Sequence, residues 1–147
     1  MKVFDHKDAF VLESGIALHS LQIAYTTYGT LNAAGNNVVW ICHALTANSD
    51  AAEWWKGLVG EGCLINPEKY FIVCANMPGS CYGSTGPLSI NPDSGLPYYS
   101  NFPQVTIRDM VQAYILLRKH LGIESIHLLM GGSMGGYQVL EWSVMER

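Results

Sequence analysis

An apolar run in residues 128–142, LLMGGSMGGYQVLEW, ends in a glycine-rich turn, and a helical pattern follows at once. The turn, Gly131-Gly132-Ser133-Met134-Gly135, has the spacing G-x-S-x-G. A strand that turns into a helix through this motif forms a nucleophile elbow, where residues two before and two after the serine must lack side chains. The pattern predicts that Ser133 occupies a strained turn and that its hydroxyl points into a site.

The same segment could serve only to let a strand and a helix pack closely, since a bare G-x-S-x-G often occurs by chance. The flanking strand and helix patterns favour a nucleophile. The helix start near Met134 would place free N–H groups and a positive dipole end beside a developing oxyanion. A second donor is expected after an earlier strand, and the backbone N–H of Leu45, in VVWICHALT, is the candidate.

Three short apolar runs without alternation predict parallel strands that are covered on both faces. These runs are Val38–Cys42, Tyr70–Ala75 and Ile126–Met130. Between the last two, a capping box at Thr106 and Asp109 begins a periodic helix that is expected to end at Gly122. Strand, helix and strand form a βαβ unit, so residues 1–147 are predicted to form an α/β fold with a mostly parallel sheet and flanking helices.

Two more strands are predicted nearer the N-terminus, over Phe10–Glu13 and Leu18–Tyr28, and a last helix is expected to begin near Met134. The segment Asn76–Pro103 is rich in glycine, proline and serine and is predicted to be irregular. A loop of this length within a compact domain is usually functional.

His43, Asp109 and His120 have side chains that could act as catalytic acids or bases, but all three precede Ser133. In the elbow fold the order along the chain is serine, then acid, then histidine. His43 is therefore interpreted as a structural histidine at a strand end. Asp109 and His120 are expected to cap the preceding helix or to face solvent.

Composition excludes several classes of function. The net charge is −4 and the eight Lys and Arg residues are scattered, which argues against a nucleic-acid or membrane-surface binder. Acidic residues near the N-terminus interrupt the apolar stretch that a signal peptide needs. No apolar segment reaches the ~18 residues of a membrane span. From these two observations a cytoplasmic protein is expected. The four cysteines form no C-x-x-C pair, so no metal site is expected. Cys42 and Cys74 are predicted to be buried thiols.

Five stretches together resemble the homoserine O-acetyltransferases of the α/β-hydrolase superfamily, from about residue 10 onward. They are YTTYGTLN (25–32), ICHALTANSDAAEWW (41–55), YFIVCANMPGSCYGSTGPLSINP (70–92), NFPQVTIRDMV (101–111) and HLLMGGSMGGYQVLEW (127–142). The loop GSCYGSTGPLSINP and the elbow GGSMGG are far more specific to this family than G-x-S-x-G alone.

The resemblance implies transfer of an acetyl group from acetyl-CoA to the γ-hydroxyl of L-homoserine, an early step towards methionine. In this ping-pong reaction Ser133 would become acetylated, while the N–H groups of Leu45 and Met134 bind the oxyanion. The resemblance also implies that Thr46, Ala47 and Asn48 line the acyl pocket. It implies no cofactor, with acetyl-CoA as a co-substrate, and a homodimer for the full-length enzyme.

The family also has a catalytic Asp and His far downstream of the serine and a helical lid between them. Only 14 residues follow Ser133 in this sequence, so the chain is expected to be the N-terminal part of the fold, without the lid and inactive alone. Three alternatives stay open. They are a homoserine or serine O-acetyltransferase or O-succinyltransferase, an esterase on the same fold, and a non-catalytic binding fragment.

Overall fold

The computed structural model describes residues 1–146 as seven strands and three helices. The strands are β1 (Lys2–His6), β2 (Phe10–Val11), β3 (Ala17–Leu18), β4 (Leu21–Tyr28), β5 (Val38–Cys42), β6 (Phe71–Ala75) and β7 (Leu128–Gly131). The helices are α1 (Ala51–Trp54), α2 (Ile107–His120) and α3 (Met134–Met145). None of these described helices is long and apolar enough to cross a membrane.

Five strands form one sheet in the order β1-β4-β6-β5-β7, and β2 pairs with β3 in a separate hairpin. β5 pairs in parallel with both β6 and β7, and β4 pairs antiparallel with both β1 and β6. Four of the five strands therefore run in the same direction, which confirms the mostly parallel sheet. β6 and β7 lie on opposite sides of β5, so α2 connects two strands that are not adjacent.

The N-terminal strands differ from the prediction in three places, the first being that the strand predicted over Phe10–Glu13 ends at Val11. β1 was not predicted, and it forms an edge of the sheet where Val3 pairs with Ala24 of β4. The predicted strand over Leu18–Tyr28 is broken at residues 19–20, so Leu18 belongs to the small hairpin and only Leu21–Tyr28 enters the main sheet. The short helix α1 was also not predicted.

The core lies on both faces of β5, which is fully buried. On one face Trp40 packs against Tyr114 of α2 and Trp142 of α3, with ring centroids 6.1 Å and 5.1 Å away. On the other face Val39 and Ile41 join an apolar cluster that includes residues of β6 and the α1 segment. Because successive strand residues point to opposite faces, an unbroken apolar run is the pattern that such a central strand requires.

β7 is less covered than its sequence predicts. Its residues are exposed or half-buried, and Leu128 is 39% exposed. β7 lies at an edge of the sheet and pairs only with β5 among the described strands. On the neighbouring helix α3, Tyr137, Leu140 and Val144 also face solvent. The prediction of coverage on both faces is therefore wrong for β7 in this structure.

Both ends of α2 follow the predicted capping chemistry. The Thr106 side chain accepts a hydrogen bond from the Asp109 N–H, and the Asp109 side chain accepts one from the Thr106 N–H. At the other end Gly122 follows the cap residue Leu121 with φ +67°. The N–H groups of Gly122 and Ile123 donate to the carbonyls of the last helical turn, so the left-handed glycine closes the helix.

Asp109 is fully buried and also joins the N-terminal segment to the helix. Its Oδ1 accepts from the Glu13 N–H at 2.8 Å and its Oδ2 from the Thr106 N–H at 2.9 Å. We expect Asp109→Asn to lower the free energy of unfolding by about 2 kcal/mol, because an amide NH₂ would face one of these two N–H donors. Urea denaturation measures the loss. Thr106→Ser keeps the capping oxygen and should change stability little, and equal losses in both variants would contradict the account.

Candidate active site

Ser133 lies between β7 and α3 at the N-cap position of α3, with φ +53° and ψ −124°, and its side chain makes no capping hydrogen bond. Only Ser133 and Tyr99 have a positive φ among the non-glycine residues described. This conformation is costly for a residue with a side chain, and such strain persists where the surrounding structure enforces it. Ser133 is exposed, as a nucleophile must be, and the backbone has the predicted elbow conformation.

Two glycines make this turn possible because no side chain fits at either position. A Cβ on Gly135 would lie 2.6 Å from the carbonyl carbon of Cys42 and 2.9 Å from the oxygen of His43, and closer still to the Cys42 oxygen. A Cβ on Gly131 would lie 2.6 Å from the backbone of Gly135 and 2.7 Å from the Cys42 oxygen. The elbow is therefore pressed against the end of β5, which brings Ser133 close to the loop that follows that strand.

The two expected oxyanion donors border the same space. Leu45 follows the end of β5 and Met134 begins α3, and both line one cavity of about 190 Å³. Within residues 1–146 neither backbone N–H donates a hydrogen bond to another group. Two N–H groups without intramolecular partners that border one cavity, one of them on the residue after Ser133, are compatible with an oxyanion hole. Their role as donors remains a prediction.

The long loop Asn76–Pro103 provides much of the cavity wall, including Met77, Pro78 and Phe102. Apart from a 3₁₀ turn at Tyr99–Asn101 and a single bridge between Ile90 and Pro97, it is irregular, as predicted. Residues at both ends of 76–85 bond to β4: the Asn76 N–H donates to the Ala24 carbonyl and the Thr85 N–H donates to the Gln22 carbonyl, each at 2.8 Å. This arrangement gives an irregular segment a defined position beside the elbow.

Three polar side chains fix that position, and no local sequence pattern beyond the loop's composition predicts their role. The Ser84 hydroxyl accepts from the Ala24 N–H at 3.0 Å, and the Thr85 hydroxyl accepts from the Gln22 N–H at 2.7 Å. The fully buried Asn76 amide donates to the Tyr82 carbonyl at 2.7 Å. These hydrogen bonds favour one loop conformation over others, although the buried Asn76 Oδ1 has no partner among the described residues.

Thr46, Ala47 and Asn48 continue the loop after Leu45, but none of them lines the cavity beside Met134. The Ala47 N–H closes a turn on the Ala44 carbonyl at 3.0 Å. The Asn48 side chain accepts from the Asp50 N–H at 2.8 Å, and its carbonyl accepts from the Trp54 indole at 2.8 Å. Asn48 thus shapes the loop that leads into α1, and the proposed contact of these residues with an acyl group remains untested.

His43 is fully buried at the end of β5 and makes no hydrogen bond to Ser133. Its Nδ1 lies 2.7 Å from the Ala44 carbonyl, which can only accept, so Nδ1 carries the proton. Its Nε2 has no partner among the described residues. Burial lowers the pKa of His43, while the hydrogen bond to Ala44 opposes this effect. The imidazole is therefore neutral near pH 7 and holds the loop between β5 and Leu45.

This lowered pKa predicts a loss of stability in mild acid. Below the ordinary value of about 6.5, the unfolded chain binds a proton that folded His43 does not, so the free energy of unfolding falls as pH decreases, by at most about 1.4 kcal/mol per pH unit. His43→Asn keeps a donor for the Ala44 carbonyl and should remove this dependence between pH 7 and pH 5. Urea midpoints across that range measure it. The exposed His19→Asn is the control, and an unchanged slope in His43→Asn would refute the assignment.

The other predicted side chains lie away from the elbow. His120 is exposed at the end of α2, with its ring centroid 4.5 Å from that of Phe4. Asp109 is buried at the start of the same helix, so Asp109 caps the helix and does not face solvent. Cys42 and Cys74 are buried thiols, as predicted, and Cys81 is exposed. Within residues 1–146 no side chain hydrogen-bonds to the Ser133 hydroxyl, and no cluster of three potential metal ligands occurs.

Comparisons with known proteins agree with this architecture. A sequence profile of the alpha/beta hydrolase fold matches residues 37–145. The homoserine O-acetyltransferase of Chlorobaculum parvum is 56% identical over 142 residues, which cover 97% of this chain and 40% of that protein. The corresponding enzyme of Trichormus variabilis is 54% identical over 136 residues, 92% of this chain and 38% of that protein. The chain thus spans about 40% of the length of these relatives.

Solved structures show the same relationship. The homoserine O-acetyltransferase from Bacillus anthracis superposes with a TM-score of 0.91 at 35% identity, over 97% of this chain and 42% of that chain. Esterase E22 superposes with a TM-score of 0.89 at 32% identity, over 97% of this chain and 43% of that chain. The fold is therefore shared by acyltransferases and esterases. The chain belongs to the α/β-hydrolase fold family and, within it, corresponds to the N-terminal portion of homoserine O-acetyltransferases.

Proposed function

We propose that this chain carries the nucleophile and the oxyanion-binding groups of an acyltransferase that moves an acetyl group from acetyl-CoA to the γ-hydroxyl of L-homoserine. The observation that carries the proposal is the strained backbone of Ser133, which two glycines without room for a side chain hold against the end of β5. Identity of 50–56% to homoserine O-acetyltransferases over nearly the whole chain supports this choice of reaction.

The reaction has two halves. In the first, Ser133 Oγ forms a bond to the thioester carbonyl carbon, the C–S bond breaks, and the serine proton leaves with the sulfur as free CoA. In the second, the acceptor hydroxyl attacks the acyl-serine, the bond from carbonyl carbon to Ser133 Oγ breaks, and the acceptor's proton returns to the serine. The N–H groups of Leu45 and Met134 would stabilise the negative oxygen that develops in each half.

The 147-residue chain alone is proposed to be inactive. Both halves need a base that removes the hydroxyl proton, and within residues 1–146 no side chain reaches the Ser133 hydroxyl. His43 is buried and its donor is already used by the Ala44 carbonyl. A serine hydroxyl without a base is a weak nucleophile. The triad acid and histidine are therefore proposed to come from polypeptide outside these residues.

A hydrolase is the second candidate, because esterase E22 and the acetyl esterase MekB share 32% and 30% identity with this chain. Transferase and hydrolase share the acyl-serine and differ in whether water or an organic hydroxyl reaches it. The elbow is therefore compatible with both. The 50–56% identity to curated homoserine O-acetyltransferases favours acyl transfer.

The test joins this chain to the portion of the Chlorobaculum parvum enzyme that it does not match, and this fusion is called the completed enzyme below. Acetyl-CoA, and in a parallel reaction succinyl-CoA, is supplied with L-homoserine, with L-serine or with neither, and the release of CoA and the acylated product are measured. We expect the completed enzyme to release CoA rapidly only when homoserine is present. The chain alone should release CoA no faster than its Ser133→Ala variant does.

Each other outcome contradicts a specific part of the proposal. Release of acetate without an acceptor would indicate a hydrolase, and preference for serine would change the acceptor. Preference for succinyl-CoA over acetyl-CoA would change the donor. Turnover by the chain alone that depends on Ser133 would refute the need for an external base.

A further inference from the structure

The Leu45 N–H lies on a short arch that has little support of its own. The arch, residues 44–47, connects the buried end of β5 to the segment that enters α1. Leu45 and Thr46 are exposed, and within the described chain the arch closes on itself through one backbone hydrogen bond, from the Ala47 N–H to the Ala44 carbonyl. The direction of the Leu45 N–H therefore depends on how the two ends of the arch are held.

The elbow fixes the first end of the arch. His43 is buried directly before the arch, and its Nδ1 donates to the Ala44 carbonyl at 2.7 Å. The same strand end lies against Gly135, where no side chain fits. This end is therefore held by close packing on the helix that begins at Met134.

Side chains of β4 fix the segment directly after the arch. The buried Ser49 hydroxyl lies 2.9 Å from the hydroxyl of Thr26, and the Asp50 carboxylate accepts from the hydroxyl of Tyr28 at 2.5 Å. Thr26 and Tyr28 are two residues apart on one strand, so their side chains point to the same face of the sheet. The sheet thus supplies two anchors for the far end of the arch.

A buried amide joins this end to the long loop. Asn76 directly follows β6, and its Nδ2 donates to the Ser49 hydroxyl at 3.3 Å and to the Tyr82 carbonyl at 2.7 Å. An amide NH₂ has two hydrogens, so these two bonds use both of them. One side chain therefore holds the segment after the arch and the loop beside the elbow in a fixed relation.

Stability alone does not explain this network. Asn76 is fully buried, and its Oδ1 has no partner among the described residues. A buried acceptor without a partner lowers stability, and an apolar side chain of similar shape would avoid that loss. A polar network that is kept in spite of this loss instead specifies one arrangement of the segments that it joins.

We propose that Ser49 and Asn76 are positioning residues for the oxyanion hole, an inference that rests on the proposed acyl transfer. Together with Thr26 they form the clamp, the three side chains that meet at the far end of the arch. The clamp holds the arch so that the Leu45 N–H points to the oxygen that becomes negative on the acyl group. Loss of the clamp should let the exposed arch move and turn this N–H away from that oxygen.

The first test measures kcat and KM of the completed enzyme. An oxyanion donor acts mainly in the transition state, because the negative charge on the oxygen develops only there. Ser49→Ala removes the hydroxyl that Thr26 and Asn76 both contact. We expect kcat to fall at least about 10-fold, while KM for acetyl-CoA and for homoserine stays within about twofold. An unchanged kcat, or a loss that appears in KM, would overturn the proposal.

Neighbouring threonines of β4 give a matched control. Thr26 contacts Ser49, whereas the Thr27 hydroxyl accepts from the Lys2 ammonium at 2.9 Å. Thr26→Val should lower kcat at least about threefold, and Thr26→Ser, which keeps the hydroxyl, should retain the original rate. Thr27→Val should leave kcat unchanged. Urea denaturation identifies the variants that are fully folded in the assay, so that a loss of folded enzyme is not read as a loss of kcat.

A double variant tests whether the two side chains act through one hydroxyl. Once the Ser49 hydroxyl is absent, Thr26 has no partner in the clamp. Ser49→Ala combined with Thr26→Val should therefore be as active as Ser49→Ala alone. A loss equal to the product of the two single losses would overturn the clamp.

The second test uses the chain itself and needs no catalysis. Backbone ¹⁵N relaxation should give order parameters above about 0.8 at residues 45–47, and Ser49→Ala should lower them below about 0.6. Thr27→Val should keep the higher values. Unchanged order in Ser49→Ala would overturn the clamp.

The two tests separate the inference from the proposed function. Loss of order at residues 45–47 in Ser49→Ala, together with a completed enzyme that transfers no acetyl group, would retain the clamp on the arch and refute the acyl transfer. Acetyl transfer at full kcat in a folded Ser49→Ala enzyme would retain the transferase and refute the positioning role.

Discussion

Ser133→Ala is expected to reduce acetyl transfer by the completed enzyme by at least about 10⁴-fold. The variant keeps both oxyanion N–H groups but removes the atom that must form the acyl bond. The loss should be in kcat, because the substitution removes only the reacting hydroxyl and leaves the surrounding backbone unchanged. Steady-state rates of CoA release with homoserine measure the effect.

Ser143→Ala is the matched control for this loss. Ser143 lies on the same helix, is exposed, and donates only to the Val139 carbonyl one turn earlier. Its removal should leave the rate within about twofold, since surface substitutions of this kind have small effects. A Ser133→Ala enzyme that retains a tenth of the activity would show that another group is the nucleophile.

Gly135→Ala is expected to lower the free energy of unfolding of the chain by about 4 kcal/mol or more. The new methyl group would overlap the backbone at Cys42 and His43, and backbone atoms in a fully buried strand end cannot rotate away as a side chain can. α3 must therefore separate from β5 or the chain must fail to fold. Urea denaturation followed by tryptophan fluorescence measures the loss.

The adjacent glycine gives the opposite expectation. A Cβ on Gly136 would meet only the Gly131 oxygen at 3.6 Å, an ordinary contact. Because alanine favours a helix over glycine, Gly136→Ala should preserve or raise stability by up to about 1 kcal/mol. Equal destabilisation by the two substitutions would contradict close packing of the elbow on β5 at Gly135.

The local chemistry of the elbow and of α2 could be predicted because short-range sterics and hydrogen bonds determine both. G-x-S-x-G between a strand and a helix forces the conformation seen at Ser133, and T-x-x-D forms the cap at Thr106 and Asp109. The unbroken apolar run Val38–Cys42 likewise matches β5 at both ends. In each case the residues that determine the structure lie within a few positions of one another.

The parts that could not be predicted depend on long-range pairing. β1 forms because Lys2–His6 pairs with β4. The order of polar and apolar residues within Lys2–His6 does not by itself indicate that the segment pairs with another strand. Burial of Gln138 beside Met77 and Met110 depends on contacts across 61 and 28 residues of sequence, so the cavity wall was not visible from any local pattern.

The central claim is that Ser133 forms a covalent bond to the acyl group. The most direct measurement incubates the completed enzyme with acetyl-CoA in the absence of homoserine, followed by acid quenching, proteolysis and mass spectrometry of the peptide that contains Ser133. We expect one acetyl group on Ser133, and this group should disappear when homoserine is added before quenching. Acetyl transfer to homoserine without any acetyl group on Ser133 would contradict it.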